Sequence, residues 1–171
     1  MLRNIILTGF MGVGKTSVGT RLAKDLDYAF VDTDALIESD QKTTITEIFS
    51  TFGEPYFRDV ETRIIRKVLE GEDQVISTGG GAVIRDENRE AFKRAGLVVC
   101  LTAKPEVILE RIKHETHRPL LQTHEPVAKI SELLGSREKF YNQADLIIDT
   151  SHKSVDEAVS EIKEKVRYAR C

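Results

Sequence analysis

A glycine-rich segment near the start of the chain, GFMGVGKT at residues 9–16, has the residue types and spacing of a phosphate-binding loop. It fits the pattern G-x-x-x-x-G-K-T, whose glycines leave backbone N–H groups free to face phosphate oxygens. Lys15 can then reach the outer phosphates, and the Thr16 hydroxyl can bind Mg²⁺. An apolar run precedes the segment and a helical pattern follows it, as this chemistry requires. The sequence therefore predicts nucleotide binding.

Two carboxylates, Asp32 and Asp34, follow a second apolar run in the sequence FVDTDALIE. In an extended chain, residues two apart point the same way, so both could face bound phosphates. Phosphoryl transfer to an alcohol needs Mg²⁺ and a group that orients the hydroxyl nucleophile, and an aspartate of ordinary pKa, about 3.9, would serve. The alternative is that Asp34 only caps a helix beginning at Ala35.

Two arginines occupy inward-facing positions. Arg58 lies three residues before Glu61, which could hold its guanidinium in place. Arg137 interrupts an apolar stripe of helical spacing, made of Val127, Ile130, Leu134, Tyr141 and Ala144. A core-facing charge is costly unless it is paired. Each arginine therefore either forms a salt bridge within the protein or binds the carboxylate or phosphate of a ligand.

A third arginine, Arg118, lies in the segment HETHRPLLQTHE, which has no apolar stripe and is broken by Pro119. The pattern predicts a mobile lid at about residues 112–124, with Arg118 as a clamp on the transferring phosphoryl group. His114, His117 and His124 raise the alternative of a zinc site, but no cysteine lies near them. We interpret them as solvated lid residues.

A second glycine-rich run, STGGG, places Gly79, Gly80 and Gly81 after a third apolar run. Alone, it could be an anion nest, a bulge or a hinge. It carries no charge, whereas the first loop already has the lysine and threonine that phosphate and metal need. We predict that it forms the floor between phosphate donor and acceptor, where a ligand approaches bare backbone closely.

Five short apolar or β-branched runs, separated by helical patterns, predict a parallel sheet with helices on both faces. The runs lie at residues 5–7, 29–31, 74–76, 97–101 and 146–148. Ligands of such sheets bind beyond the carboxyl ends of the strands, so the glycine-rich loops and the aspartates should meet at one edge. No linker, repeat or low-complexity tract divides the chain, which predicts one domain over residues 1–171.

Composition narrows the class of protein. The formal net charge is −3 and the basic residues are scattered, which disfavours nucleic-acid binding. Cys100 and Cys171 do not form a ligand pair, and the N-terminal apolar run is too short for a signal sequence or a membrane span. We predict a cytoplasmic protein without a membrane partner. We also predict a monomer, because no exposed apolar stripe is left over.

Six ordered segments, GFMGVGKT, DTD, FGEPYFRDVE, STGGGAV, RPLL and REKFYNQAD, resemble those of shikimate kinases. The resemblance covers nearly the whole chain. It implies a P-loop α/β fold, with a five-stranded parallel sheet of order 2-3-1-4-5 flanked by helices, an acceptor-binding helical region at about residues 33–61, and a mobile lid. It also implies the reaction: the γ-phosphoryl group of ATP passes to the 3-hydroxyl of shikimate, on the route to chorismate and aromatic amino acids.

The resemblance further implies roles for the matching residues. Asp34 would hold the shikimate hydroxyls and act as base, with Lys15 and Arg118 as the other catalytic groups. Mg²⁺ would be bound by Thr16 and, through water, Asp32. The ATP-binding residues would be Gly12, Val13, Gly14, Lys15, Thr16, Ser17, Arg111, which packs on adenine, and Arg118. The shikimate-binding residues would be Asp34, Phe57, Arg58, Glu61, Gly79, Gly80, Gly81 and Arg137, with further pocket walls at Ile45, Phe49 and Glu54.

Two other interpretations of the sequence remain. The protein could be a related kinase that acts on gluconate or a nucleoside monophosphate, or a non-catalytic relative that binds a ligand or partner. A monophosphate kinase needs several arginines for two sets of phosphates, whereas this lid offers Arg118 and little else. A binding module would have no need of the full set of transfer residues. The GTPase motifs D-x-x-G and N-K-x-D do not occur. Asp149, which could be a motor-type metal ligand, is interpreted as the end of an edge strand.

Overall fold

The computed structural model describes residues 4–115 and 123–169. A five-stranded parallel sheet has the order β2-β3-β1-β4-β5. Its strands are β1 (Asn4–Thr8), β2 (Ala29–Asp32), β3 (Gln74–Ser77), β4 (Gly96–Thr102) and β5 (Leu146–Asp149). Each strand contains one of the five predicted runs, so the predicted sheet and its strand order are confirmed.

Helices connect these strands. Their bounds are α1 (Lys15–Leu26), α2 (Thr33–Gln41), α3 (Ile45–Val68), α4 (Asp86–Ala95), α5 (Pro105–Ile112), α6 (Pro126–Tyr141) and α7 (Val155–Ala169). In the described parts of the chain, no helix combines the length and apolar character needed to cross a membrane.

The central strand of the sheet, β1, is fully buried. Ile5 and Leu7 of β1 pack in a cluster with α1, α5 and α7, while Ile6 packs in another with α3 and α4. Side chains alternate along a strand, so these clusters lie on opposite faces. β1 is therefore covered on both sides, which explains its continuous apolar run.

Helix α7 packs an apolar stripe in the same cluster as Ile5 and Leu7 of β1. In α7, four stripe residues are buried: Ala158, Val159, Ile162 and Val166. Val155 is 39% exposed, because it is the first residue of that helix and its side chain lies beyond the packed turns.

Helix α3 is divided by a kink that the sequence analysis did not predict. Gly53 has φ 83° and ψ 171°, a conformation that L side chains rarely adopt, and Pro55 follows within the helix. The part before the kink packs Ile48 against Ile37 of α2. The part after it packs Phe57 in the same cluster. Residues on both sides of the kink therefore contribute to one apolar cluster.

The predicted meeting of three loops at one edge of the sheet is confirmed. β3 pairs with both β1 and β2, and all three strands run parallel. Their carboxyl ends therefore lie side by side. The first glycine-rich loop follows β1, α2 follows β2, and Gly79 to Gly81 follow β3.

Candidate functional site

A cavity of about 430 Å³ opens at this edge and brings together the two sets of predicted ligand-binding residues. From the nucleotide set it is lined by Gly12, Gly14, Lys15, Thr16, Ser17 and Asp32. From the acceptor set it is lined by Asp34, Ile45, Phe49, Phe57, Arg58, Glu61, Gly79, Gly80, Gly81 and Arg137. Segments far apart in the chain thus line one enclosure.

The first glycine-rich loop depends on backbone conformations that favour glycine. Gly9 has φ 134°, and a Cβ atom there would overlap the Leu101 carbonyl oxygen of the adjacent strand. Gly14 precedes α1 in a left-handed conformation, with φ 102° and ψ 16°. Lys15 donates from Nζ to the carbonyl oxygens of Gly9 at 2.7 Å and Phe10 at 2.9 Å. The lysine is thereby held across its own loop, at the positive N-terminus of α1.

Asp32, not Asp34, caps the helix that follows β2. Oδ1 of Asp32 accepts hydrogen bonds from the backbone N–H of Asp34 at 2.9 Å and of Ala35 at 3.2 Å. The alternative in which Asp34 caps a helix at Ala35 is therefore wrong, because α2 begins at Thr33. Capping by Asp32 leaves the Asp34 side chain, in the first turn of the helix, to line the cavity.

The Asp34 carboxylate lies in an environment that disfavours its charge. Oδ1 is buried and has no hydrogen-bond partner among the described residues. Burial raises the pKa of Asp34, as does the neighbouring Asp32, while Lys15 and Arg58 oppose this shift. The pKa is thus above the ordinary value assumed from sequence. A carboxylate in this state is a stronger base and an acceptor for a hydroxyl donor.

Arg58 is both paired within the protein and directed at the cavity. Its Nη1 donates to Oε2 of Glu61 at 2.7 Å, and its Nη2 to Oε1 of Glu54 at 3.2 Å. The Glu61 side chain is 0% exposed, and burial raises its pKa against the opposing effect of Arg58. The two interpretations of Arg58 are therefore compatible, since Glu61 fixes the guanidinium whose other face lines the cavity.

Arg137 is held differently. Among the described residues no carboxylate lies within ion-pairing distance of it, and its guanidinium carbon lies 5.6 Å from the centre of the Phe10 ring. It extends from α6 into the cavity, where its Nη1 faces Gly80. An intraprotein salt bridge therefore does not account for Arg137 in the described part of the chain, and a guanidinium without a carboxylate partner suits an anionic ligand.

The glycine run is tightly enclosed by these groups. A Cβ atom at Gly79 would lie 2.8 Å from both Oδ1 of Asp34 and Oε1 of Glu61, and one at Gly81 would overlap the Arg58 guanidinium. At Gly80 the nearest atom would be Nη1 of Arg137 at 3.4 Å, an ordinary contact. Of the three glycines, the middle one alone could take a Cβ atom without a close overlap.

Arg111 lines a second cavity, of about 330 Å³, that shares Gly12, Gly14 and Ser17 with the first. Its Nη1 donates to the carbonyl oxygen of Gly12 at 3.2 Å, and its Nη2 to that of Thr150 at 2.7 Å. The guanidinium is thus fixed beside the phosphate loop, where it could flank a nucleotide base. Arg118 and most of the predicted lid lie outside the described residues.

Two sequence hypotheses concern residues away from the main cavity. Asp149 ends the edge strand β5, where its Oδ1 accepts from the Ser151 backbone N–H at 2.8 Å. The interpretation of Asp149 as a strand end is confirmed. Of the three histidines considered for zinc, His114 and His124 are exposed and His117 lies outside the described residues.

The sequence analysis missed several cavity residues, namely Met11, Ser77, Thr78 and Glu115. Ser77 and Thr78 directly precede the glycine run. Their position at the carboxyl end of a predicted strand is the signal that could have identified them. Tyr141 was also missed as a partner of the site, although it lies one helical turn beyond Arg137.

Comparison with known proteins identifies the family. A sequence model of the family described as shikimate kinase matches residues 11–167. The chain belongs to the shikimate kinase family. The shikimate kinase of Thermodesulfovibrio yellowstonii is 48% identical over 161 residues, which cover 94% of this chain and 93% of that protein. The shikimate kinase of Geobacter metallireducens is 49% identical over 161 residues, covering 94% and 90%. The resemblance stated from sequence is confirmed.

Solved shikimate kinase structures share the architecture. The Acinetobacter baumannii shikimate kinase, in complex with shikimate, has a TM-score of 0.93 at 36% identity and covers 99% of this chain and 95% of that one. The YorR protein of Bacillus subtilis, with a TM-score of 0.67 at 18% identity, shares the fold alone. The predicted P-loop kinase fold and the class of ATP-dependent phosphotransferase are confirmed.

A substitution at Gly80 tests the prediction that the glycine run forms the floor between phosphate donor and acceptor. We expect Gly80→Ala to lower kcat/KM for the acceptor at least tenfold, because the new methyl group would enter the ligand space. The thermal midpoint should stay within about 3 °C of wild type, since the added atom makes only ordinary contacts. Gly81→Ala, whose methyl group would overlap Arg58, should instead lower both. Equal losses of stability in the two variants would make the run a purely structural turn.

Proposed function

We propose that this protein transfers the γ-phosphoryl group of ATP to the 3-hydroxyl of shikimate, giving shikimate 3-phosphate and ADP. The observation that carries the proposal is the shared cavity, in which a phosphate loop, a buried carboxylate and two guanidinium groups line one space. These groups match the two reactants: phosphates at one end, and a polyol with a carboxylate at the other. A gluconate or nucleoside monophosphate acceptor has no observation in its favour.

In this proposal Arg58 and Arg137 bind the shikimate carboxylate. Their guanidinium groups approach the glycine run from two different helices, α3 and α6, so an anion between them would be held from both sides. Gly79, Gly80 and Gly81 let the ring approach the backbone, and apolar walls contributed by Ile45, Phe49 and Phe57 contact its carbon atoms.

Asp34 is the proposed base. Its partnerless Oδ1 would accept a hydrogen bond from the acceptor hydroxyl. As the hydroxyl oxygen bonds to the γ-phosphorus, the bond from that phosphorus to the β–γ bridging oxygen breaks, ADP leaves with the electron pair, and the hydroxyl proton passes to Asp34. Lys15 and the N-terminus of α1 stabilise the charge on the phosphate oxygens.

Thr16 and Asp32 are the proposed holders of Mg²⁺, directly and through water. Both line the cavity, and hydroxyl and carboxylate oxygens are ligands that Mg²⁺ accepts. Within the described ranges, no group of three or more His, Cys, Asp or Glu side chains could hold a metal alone. A site with few protein ligands fits Mg²⁺, which keeps waters and phosphate oxygens in its shell. When bound, the ion would neutralise charge on the nucleotide phosphates.

The remaining assignments from sequence stay predictions. We propose that Arg111 packs on adenine from the second cavity and that Arg118 closes onto the phosphates from a lid at residues 112–124. We also propose a single domain in which residues 33–61 form the acceptor-binding region, and a cytoplasmic monomer.

A coupled assay of ADP release tests the reaction. With MgATP and a panel of shikimate, quinate, gluconate and nucleoside monophosphates, we expect shikimate to give release well above the ATPase background, with the others near that background. Identification of shikimate 3-phosphate by mass spectrometry gives the product. Release with another acceptor but none with shikimate would overturn the proposal.

A further inference from the structure

The Tyr141 hydroxyl contacts the glycine run from behind. Tyr141 is the last residue of α6, its side chain is 5% exposed, and it packs in a cluster with Val83 and Cys100. Its Oη donates a hydrogen bond to the carbonyl oxygen of Gly80 at 2.7 Å. Burial raises the pKa of Tyr141 to about 12, against the opposing effect of Arg137, so the hydroxyl keeps its proton and remains a donor.

This hydrogen bond fixes the direction of a neighbouring N–H group. The peptide between Gly80 and Gly81 is trans, so its C=O and N–H point in opposite directions. Because the Gly80 oxygen is directed at Tyr141, the Gly81 N–H is directed away from the Tyr141 hydroxyl. Among the described residues this N–H has no acceptor, and Gly80 and Gly81 both line the main cavity. The group is therefore available to a ligand.

The peptide needs such an anchor because both residues beside it are glycines. Rotation of a peptide plane changes ψ of the residue before it and φ of the residue after it. Gly81 now has φ −97°, and the flipped peptide would need a positive φ, which a glycine adopts at little cost. A flip would exchange the directions of the Gly81 N–H and the Gly80 C=O, so that a carbonyl oxygen would take the place of the donor. An oxygen in that place would repel an anionic ligand.

We propose that Tyr141 is a positioning residue, which holds the peptide between Gly80 and Gly81 with its N–H directed at the bound acceptor. The inference rests on the proposed binding of the acceptor beside the glycine run. Tyr141 lies one turn beyond Arg137 on α6, so the same helix sets both the guanidinium and the backbone donor that face the ligand. The Tyr141 hydrogen bond joins α6 to the glycine run and not to the phosphate loop, so nucleotide binding should not depend on it.

The test removes only the hydroxyl. In Tyr141→Phe we expect KM for shikimate to rise about five- to tenfold, as befits the loss of one orienting hydrogen bond, while KM for ATP stays within twofold of wild type. The matched control is Ser136→Ala on the same helix, because the Ser136 hydroxyl also donates to a backbone carbonyl oxygen, that of Leu133 at 2.8 Å, but does so at the surface. The control should leave both KM values unchanged.

A structural role alone would give a different pattern. If Tyr141→Phe lowered the thermal midpoint but left KM for shikimate within twofold of wild type, the positioning role would be overturned. A second measurement uses wild-type protein, so it does not depend on the folding of a variant. In ¹⁵N-labelled protein, saturating shikimate should shift the Gly81 amide resonance and slow its hydrogen exchange. If shikimate shifted other amide resonances but left that of Gly81 unchanged, the inference would also be overturned. Failure of the proposed function would give a different result, because wild-type protein would then show no shikimate-dependent ADP release.

Discussion

Asp34→Asn is expected to lower turnover with shikimate at least a thousandfold while leaving ATP affinity within about twofold of wild type. The substitution keeps the shape of the side chain but removes the group that accepts the hydroxyl proton, and a positioned base contributes roughly 10²–10⁴ to a rate. Loss of the carboxylate also weakens the hydrogen bond that orients the acceptor. Nucleotide affinity should survive because, in the described part of the chain, the Asp34 side chain forms no hydrogen bond with the phosphate loop. Titration calorimetry with ATP measures the affinity, and steady-state kinetics measure the turnover.

The control lies on the same helix. Asp40 is in α2, but it is at the surface and pairs with Arg63 at 2.7 Å. Asp40→Asn should therefore retain wild-type turnover. Normal turnover in Asp34→Asn would remove Asp34 from the chemistry and leave the proton to another acceptor.

Asp34→Asn is also expected to stabilise the protein at neutral pH. Burial raises the pKa of Asp34 in the folded state, so the folded protein favours the neutral carboxyl group. A raised pKa contributes stability below the unfolded-state pKa and loses it as pH rises through the folded-state pKa. Above that value the ionised side chain is a cost, which the amide removes. We expect the thermal midpoint to rise by about 2–4 °C at pH 7, the effect of about 1 kcal/mol in a domain of this size, with the gain disappearing in acid. A lower midpoint at pH 7 would contradict this account.

The sheet and most of the cavity could be predicted from sequence because their signals are local. Each strand contains a short apolar or β-branched run, and the residues predicted to bind ligands lie directly after three of those runs. The G-x-x-x-x-G-K-T loop requires glycine at fixed positions, and Gly9 and Gly14 have the backbone conformations that explain this requirement. Adjacent parallel strands end at the same edge of the sheet, so the loops that follow them meet there.

Other features depended on boundaries and tertiary contacts that a single sequence does not determine. Asp32 and Asp34 are both good caps, and only the start of α2 at Thr33 decides which one caps the helix and which faces the ligand. The raised pKa of Asp34 depends on burial by distant segments, including Gly79. The hydrogen bond from Tyr141 to Gly80 was hidden because a tyrosine in an apolar stripe shows that its ring packs, but not which group its hydroxyl contacts.

The two arginines give the second prediction of a large effect. The sequence left the same two alternatives open for both, a salt bridge or ligand binding, and the structure distinguishes between them. Arg137→Ala is expected to weaken shikimate binding about a hundredfold, the loss of a charge-assisted bidentate contact, with little change in stability. No carboxylate in the described chain depends on Arg137, so its removal leaves no buried charge behind. Binding is measured by calorimetry with shikimate and stability by thermal unfolding. Unchanged shikimate affinity in a folded Arg137→Ala protein would return this residue to a structural role.

Arg58→Ala should weaken shikimate binding to a similar degree but should also destabilise the fold. The Arg58 side chain is 12% exposed and Glu61 is 0% exposed, so the substitution leaves a buried carboxylate without its cation. Breaking a pair of this kind costs about 3–5 kcal/mol. Arg63→Ala, which breaks the surface pair with Asp40, is the control and should cost about 1 kcal/mol or less.

The double variant Arg58→Ala/Glu61→Gln separates the two contributions of Arg58. Glutamine at this position keeps the size of the buried side chain but carries no charge, so most of the stability lost in Arg58→Ala should return. Shikimate affinity should not return, because the guanidinium that faces the ligand is still missing. Recovery of both quantities would mean that Arg58 acts on the acceptor only by neutralising Glu61, and recovery of neither would mean that the ion pair is not the source of the instability. Recovery of stability alone is the result expected of a residue whose charge serves the fold on one side and the ligand on the other.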